Sequence, residues 1–195
     1  SRFKQRTETT VIFVVDASGS TAFNRLAEAK GAVELLLADC YVRRESVALI
    51  AFRGSSAELL LPPTRSLTRA KRSLAGLPGG GGTPLAAGLD AAAELAAAVA
   101  RKGQTPILIL LSDGRGNIAL DGQPIRAAAE ADAQAAATRL RLASLTTLFV
   151  DTSPRPQAKA QALAAAMDAR YLAMPRADAA TLSRAVKANT AGTAS

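Results

Sequence analysis

The chain has 195 residues, with 24 Lys and Arg against 16 Asp and Glu for a formal net charge of +8, one cysteine, and neither histidine nor tryptophan. A length within the roughly 100–200 residues of one domain predicts a single core, and 49% hydrophobic with 21% charged residues excludes disorder as a description of the whole chain. Zero histidine excludes Ser-His-Asp and Cys-His nucleophiles, an imidazole base and most zinc sites, which need a group titrating near neutrality or a soft nitrogen ligand.

The first segment, Ser1 to Gln5 and onward to residue 9, is polar, lacks an apolar secretory core and an initiator Met, and reads as an N-terminal extension at the cut end of a longer protein. Thr10 to Val15 is an unbroken β-branched apolar run, the pattern of a strand buried on both faces of a parallel sheet, and it stops at Asp16. Leu26, Ala29, Lys30, Val33, Leu36 and Leu37 then recur at helical spacing, predicting an amphipathic helix over about 22–40. Cys40 falls within it, as a buried and inert thiol. Val47 to Phe52 is a second strand. The Arg53-Gly54-Ser55-Ser56 turn leads to a shorter third one, Ala57 to Leu61, expected as an antiparallel edge. A short helix over about 67–74 precedes the glycine run Gly79 to Gly82, and Thr83-Pro84 predicts a helix start with Thr83 as its cap, running to about Ala100. Pro106 to Leu111 is another buried strand, ending at Ser112-Asp113-Gly114. Beyond the loop Gly114 to Gly122 come a helix from Pro124 to about Leu142, a strand Leu145 to Val150, a helix Pro156 to Met167, a brief strand Arg170 to Ala173 and a last helix Ala177 to Lys187. The small polar tail over 189–195 is expected to fray. Strands alternating with helices specify an α/β, doubly wound, mostly parallel six-stranded sheet with one antiparallel edge strand and helices on both faces, occupying 10–188.

Basic residues are scattered and only 4% of residues are aromatic, which leaves little to stack on bases, so nucleic acid is not an expected partner. No apolar run reaches the roughly 18 residues of a membrane span; the alanine-rich stretch is interrupted by Asp90 and Glu94.

In an open sheet of this kind, ligands sit beyond the carboxyl ends of the central strands. Asp16, Ser18 and Ser20 fall there in one loop, Thr83 in a second and Asp113 in a third. Two carboxylates and three hydroxyls make an all-oxygen donor set, which suits Mg²⁺ or Mn²⁺ rather than a soft metal. Singly, Ser18, Ser20 and Thr83 read more simply as helix caps. An acid directly after an apolar central strand is harder to explain away, because an unpartnered carboxylate there is costly. Arg115 on the following loop is placed to steer an incoming carboxylate, with Asn117 beside it on the same rim.

Asp-Ala-Ser-Gly-Ser after the first strand, Gly-Gly-Thr-Pro before a helix and Leu-Ser-Asp-Gly after the fourth strand resemble the three elements of the metal-ion-dependent adhesion site of von Willebrand factor A (integrin I) domains. Longer stretches, Phe13 to Ser20, Ala29 to Val33, Leu49 to Gly54, Leu60 to Ser66 and Ser112 to Asn117, are similar to the carboxy-terminal domain of the D-subunit family of magnesium chelatase. Thr21 stands where that family more often has Met.

The resemblance implies a non-catalytic, metal-dependent binding module with Mg²⁺ as cofactor. Ser18, Ser20 and Thr83 would be direct ligands, Asp16 and Asp113 would act through water or hold the shell, and a partner's Asp or Glu would complete the coordination. It also implies partners: the AAA+ ATPase subunit and the large porphyrin-binding subunit of a complex that inserts Mg²⁺ into protoporphyrin IX for (bacterio)chlorophyll synthesis. The parent chain would sit in an oligomeric ring, in the cytoplasm or a plastid stroma. The same fold serving another ATPase-linked metal-insertion or activation system is the nearest alternative. A Mg²⁺-dependent phosphoryl-transfer enzyme is opposed by Ser18, which stands where that chemistry needs a second carboxylate. Nucleotide binding at the glycine run is opposed by the lack of a following Gly-Lys-Ser/Thr.

Overall fold

A computed structural model describes residues 7–19 and 23–174. The predicted helix at Ala177 to Lys187, the tail, Thr21 and the candidate ligand Ser20 lie outside the described residues. In chain order the elements are β1 (Thr9–Asp16), α1 (Phe23–Val42), β2 (Ser46–Arg53), β3 (Ser56–Thr64), α2 (Leu67–Ala75), α3 (Leu85–Arg101), β4 (Thr105–Ser112), α4 (Arg126–Leu142), β5 (Thr146–Asp151), α5 (Ala158–Ala166) and β6 (Arg170–Ala173). They build one six-stranded sheet in the order β3-β2-β1-β4-β5-β6. Only β3 runs antiparallel to its neighbour.

Alternation along β1 explains why its whole run is apolar. Val11, Phe13 and Val15 enter the core shared with α1 and α2, through Val33, Leu36 and Leu74 among others. Ile12 and Val14 enter the opposite core, shared with α3, α4 and α5 through Leu85, Leu89, Leu140 and Leu163. Each such side chain contributes about 1.5–3 kcal/mol by leaving water, so both sheet faces hold the central strands in place. Lys30 crosses from α1 to donate to the carbonyl oxygens of Leu77, at 2.7 Å, and Ala75, at 3.3 Å. It thereby ties α1 to the chain just before the glycine run.

Several boundaries differ from the sequence expectation; α4 and α5 each begin two residues later than predicted, at Arg126 and Ala158. β3 continues through Pro62 and Pro63 to Thr64, because its outer edge requires no ladder donors and the ladder shifts register between Leu61 and Thr64. Helix α3 begins at Leu85 with Pro84 at the N-cap position, one residue later than predicted, so Thr83 precedes the cap position that the sequence assigned to it.

Candidate metal centre

β1 and β4 are neighbours, and the chain leaves them in opposite directions across the sheet. Their carboxyl ends therefore form the topological switch point. Asp16 is the last residue of β1, and Asp113 directly follows β4.

Asp16 is 6% exposed. Its Oδ1 accepts the Ser18 backbone N–H at 2.9 Å, while Oδ2 is buried with no hydrogen-bond partner. Burial raises the carboxyl pKa from 3.8 to about 6, opposed by hydrogen bonds from Ser18 and reinforced by the negative charge of Asp113. The repulsion puts the two carboxylates within electrostatic reach of each other. Asp113 is also raised, first by burial, against the pull of the Arg115 backbone N–H and guanidinium; that N–H donates to Asp113 Oδ1 at 2.9 Å. An acceptor atom buried without a donor beside a second carboxylate is a site that gains from a cation.

Two of the candidate hydroxyl residues, Ser18 and Thr83, lie on loops that meet. Ser18 and Thr83 are 3% and 2% exposed. The loops carrying them are joined by main-chain hydrogen bonds, Gly19 N–H to Gly81 O and Gly80 N–H to Ala17 O, both at 2.9 Å. Glycine is required for this contact: a Cβ on Gly19 would lie 3.2 Å from Gly80 Cα, and Gly81 adopts φ +82° against the Gly54 backbone. Thr83 is clamped by Asn117, whose Oδ1 accepts the Thr83 N–H at 2.7 Å. The Asn117 N–H in turn donates to Thr83 O at 3.0 Å. Thr83, Asp113, Arg115 and Asn117 share the wall of one cavity of about 350 Å³, so the two rim residues named from sequence do border the candidate ligands. Arg115 also donates to Gln157 Oε1 at 3.2 Å.

A third acid, Asp151, ends β5 beside Ser112. The rule that singled out Asp16 and Asp113 applies to it equally, yet its surroundings differ. It is fully buried and accepts from Ser153 N–H, Gln157 N–H and the Tyr171 hydroxyl at 2.9, 3.2 and 2.5 Å. With both oxygens engaged it organises the 152–157 loop. Sequence reasoning did not single out Asp151, nor Arg126 and Lys159, which also line the cavity. The two cations do carry a signal, since each stands in the first turn of a helix, the end where the helix dipole disfavours positive charge.

Residues 11–115 match the family model of the von Willebrand factor type A domain. The chain is 57% identical over 187 residues to the magnesium-chelatase 60 kDa subunit of Cereibacter sphaeroides, covering 96% of this chain and 34% of that protein. It is 51% identical over 178 residues to the magnesium-chelatase 60 kDa subunit of Rhodobacter capsulatus, covering 91% and 32%. It thus spans about a third of the length of these relatives. In fold it is similar to the von Willebrand domain of a type V pili tip protein from Porphyromonas gingivalis, with a TM-score of 0.73 at 13% identity over 95% of this chain and 96% of that one. The chain is a von Willebrand factor type A domain, and within that family it belongs with the domain carried by the magnesium-chelatase 60 kDa subunits.

Proposed function

We propose that this domain is a metal-dependent docking module of a magnesium chelatase. Asp16, Ser18, Thr83 and Asp113, with Ser20 outside the described residues, hold a resident Mg²⁺, for which Mn²⁺ can substitute. The observation that carries the reading is the buried Oδ2 of Asp16, which has no donor, on a carboxyl whose pKa burial has raised to about 6. The residues fit a hard divalent cation, because the donors are all oxygen and two carboxylates offset its charge. When bound, the cation supplies a Lewis-acid contact for one carboxylate of a partner protein. The chain's own residues do the rest. Asn117 holds the Thr83 backbone, main-chain bonds between the glycine loops hold the Ser18 loop to the loop preceding Thr83, and Arg115 at the cavity wall steers an acid toward the site.

On this reading the domain makes and breaks no bonds. It docks the ATPase subunit, the porphyrin-binding subunit or both, while a separate Mg²⁺ is the substrate that the assembled complex inserts into protoporphyrin IX. The likeness to magnesium-chelatase 60 kDa subunits supports the chelatase setting. No helix among the described residues is long and apolar enough to cross a membrane. The test is calorimetric titration of the chain with each of the two subunits. Asp16→Ala, or EDTA, is expected to weaken the metal-bridged complex by at least about tenfold; affinity unchanged by both overturns the reading.

A further inference from the structure

The cavity that Thr83 and Asp113 border does not end at them. It is also lined by Arg126 and Glu130 on α4, Lys159 on α5 and Arg115. Three cations thus face one space of about 350 Å³ against two carboxylates, Asp113 and Glu130. Glu130 is paired with Lys159 at 2.6 Å, and both side chains remain about half exposed, so a surface pair of this kind is exchangeable at little cost. Arg126 and Lys159 are the first and second residues of their helices. Neither α4 nor α5 has an acidic residue in its first turn or a side-chain cap at its N-terminus. Side-chain charge and helix dipoles therefore add with the same sign at one wall. Glu130 offsets part of that charge through its pair with Lys159 and its attraction to Arg126, and an anion entering the cavity gains from the cations and helix ends together. The volume is near the lower end of roughly 300–1,000 Å³ for ligand-binding clefts, enough for side chains rather than a folded domain.

We propose that this wall is a second subsite for the partner: the docked element is an acidic peptide segment of a partner protein. One carboxylate of that segment goes to the metal, and a neighbouring acid goes to Arg126 and Lys159. This rests on the metal-docking reading above and deepens it. The metal fixes the first acid, and the cationic wall selects partners that carry further acids next to it. Glu130 holds Lys159 in position when the cavity is empty and yields it to the incoming acid.

The experiment titrates the 195-residue chain, in Mg²⁺, with two fluorescein-labelled peptides, Gly-Asp-Ala-Glu-Glu-Gly and its single-acid analogue Gly-Asp-Ala-Gln-Gln-Gly, and reads binding by anisotropy. The expected result is a preference of about tenfold or more for the multi-acid peptide. The double variant Arg126→Ala/Lys159→Ala erases that preference but leaves the weaker, EDTA-sensitive binding of the single-acid peptide. Glu130→Gln strengthens the multi-acid peptide by about threefold. If the double variant keeps the preference while EDTA abolishes binding, the second subsite is wrong and the metal-docking reading survives. If EDTA leaves the binding of both peptides intact while the double variant removes the preference, the cationic wall stands and the metal reading falls. Equal binding of the two peptides, no saturable binding of either at millimolar concentration, or equally effective competition by inorganic phosphate overturns the proposal. The substituted side chains are exposed or form the exposed pair, and circular dichroism of each variant checks that the fold is kept.

Discussion

Replacing Asp16 by Asn removes a costly buried charge while keeping its shape. In the folded, metal-free chain the carboxyl is raised from 3.8 to about 6, so the ionised group weakens the fold by about 3 kcal/mol at neutral pH. Asn retains an acceptor for the Ser18 N–H, now met at 2.9 Å, but sets an amide donor where Oδ2 is buried. An unpaired buried donor costs about 1–2 kcal/mol. The net expectation in EDTA is that Asp16→Asn is more stable than the parent by about 1–2 kcal/mol, or about 2–8 °C in Tm for a chain of this size. The sign with pH follows from the raised folded pKa. The folded state holds the proton up to about pH 6 and the unfolded state releases it near 3.8, so the parent loses stability as pH rises through that window. The destabilisation at pH 5 is about half that at neutral pH, and it vanishes below about pH 3.8; the Asn variant lacks this dependence. Millimolar Mg²⁺ then reverses the order, because a ligand bound only by the native state raises the parent's Tm and is left with Asp113 as the one remaining site carboxylate in the variant. Thermal melts by circular dichroism in EDTA and in Mg²⁺, at neutral pH and near pH 5, check all of this. An Asp16→Asn chain no more stable than the parent in EDTA, or one whose Tm Mg²⁺ raises as much as the parent's, refutes the reasoning.

Gly82→Ala places a methyl group 2.8 Å from Gly54 O and 2.7 Å from Ile118 Cγ1. It is expected to lower stability by about 1–3 kcal/mol in urea unfolding and to weaken the Mg²⁺-induced rise in Tm, since Thr83 is the next residue. Cys40 is buried, and burial pushes its thiol up to about 12. The folded chain should therefore resist alkylation by iodoacetamide at neutral pH and react promptly in denaturant; rapid labelling of the native chain would show that α1 opens readily.

Particular residues show how far the sequence carries. Val11 to Val15 and Ile107 to Leu111 are apolar on both faces because helices cover both faces, and a local run records that directly. Hence Asp16 and Asp113 could be placed at the ligand edge from sequence. What a local pattern does not contain is the company an acid keeps. Asp16 and Asp151 both follow apolar strands, yet one has an oxygen without a donor and the other is saturated by Ser153, Gln157 and Tyr171, the last from a different strand. Asn117 is another case. Its sequence position suggests a solvated rim, and its amide in fact grips Thr83 across 34 residues of chain. Helix α3 starts one residue later than the sequence predicts: Thr-Pro is a strong capping signal, but the Thr83 main chain is engaged by Asn117 and Ile118 instead.

The placement of Asp16 at the end of β1 also bears on how the domain carries force. β1 is flanked by parallel ladders of seven residue pairs on each side, to β2 and β4. A partner pulling on a ligand loop directs tension along these strands, so many main-chain hydrogen bonds must shear together, whereas a pull at the β3 or β6 edge would peel them one at a time. If the domain docks a partner as proposed, a load on the metal loops would meet the sheet in its shear-resistant direction.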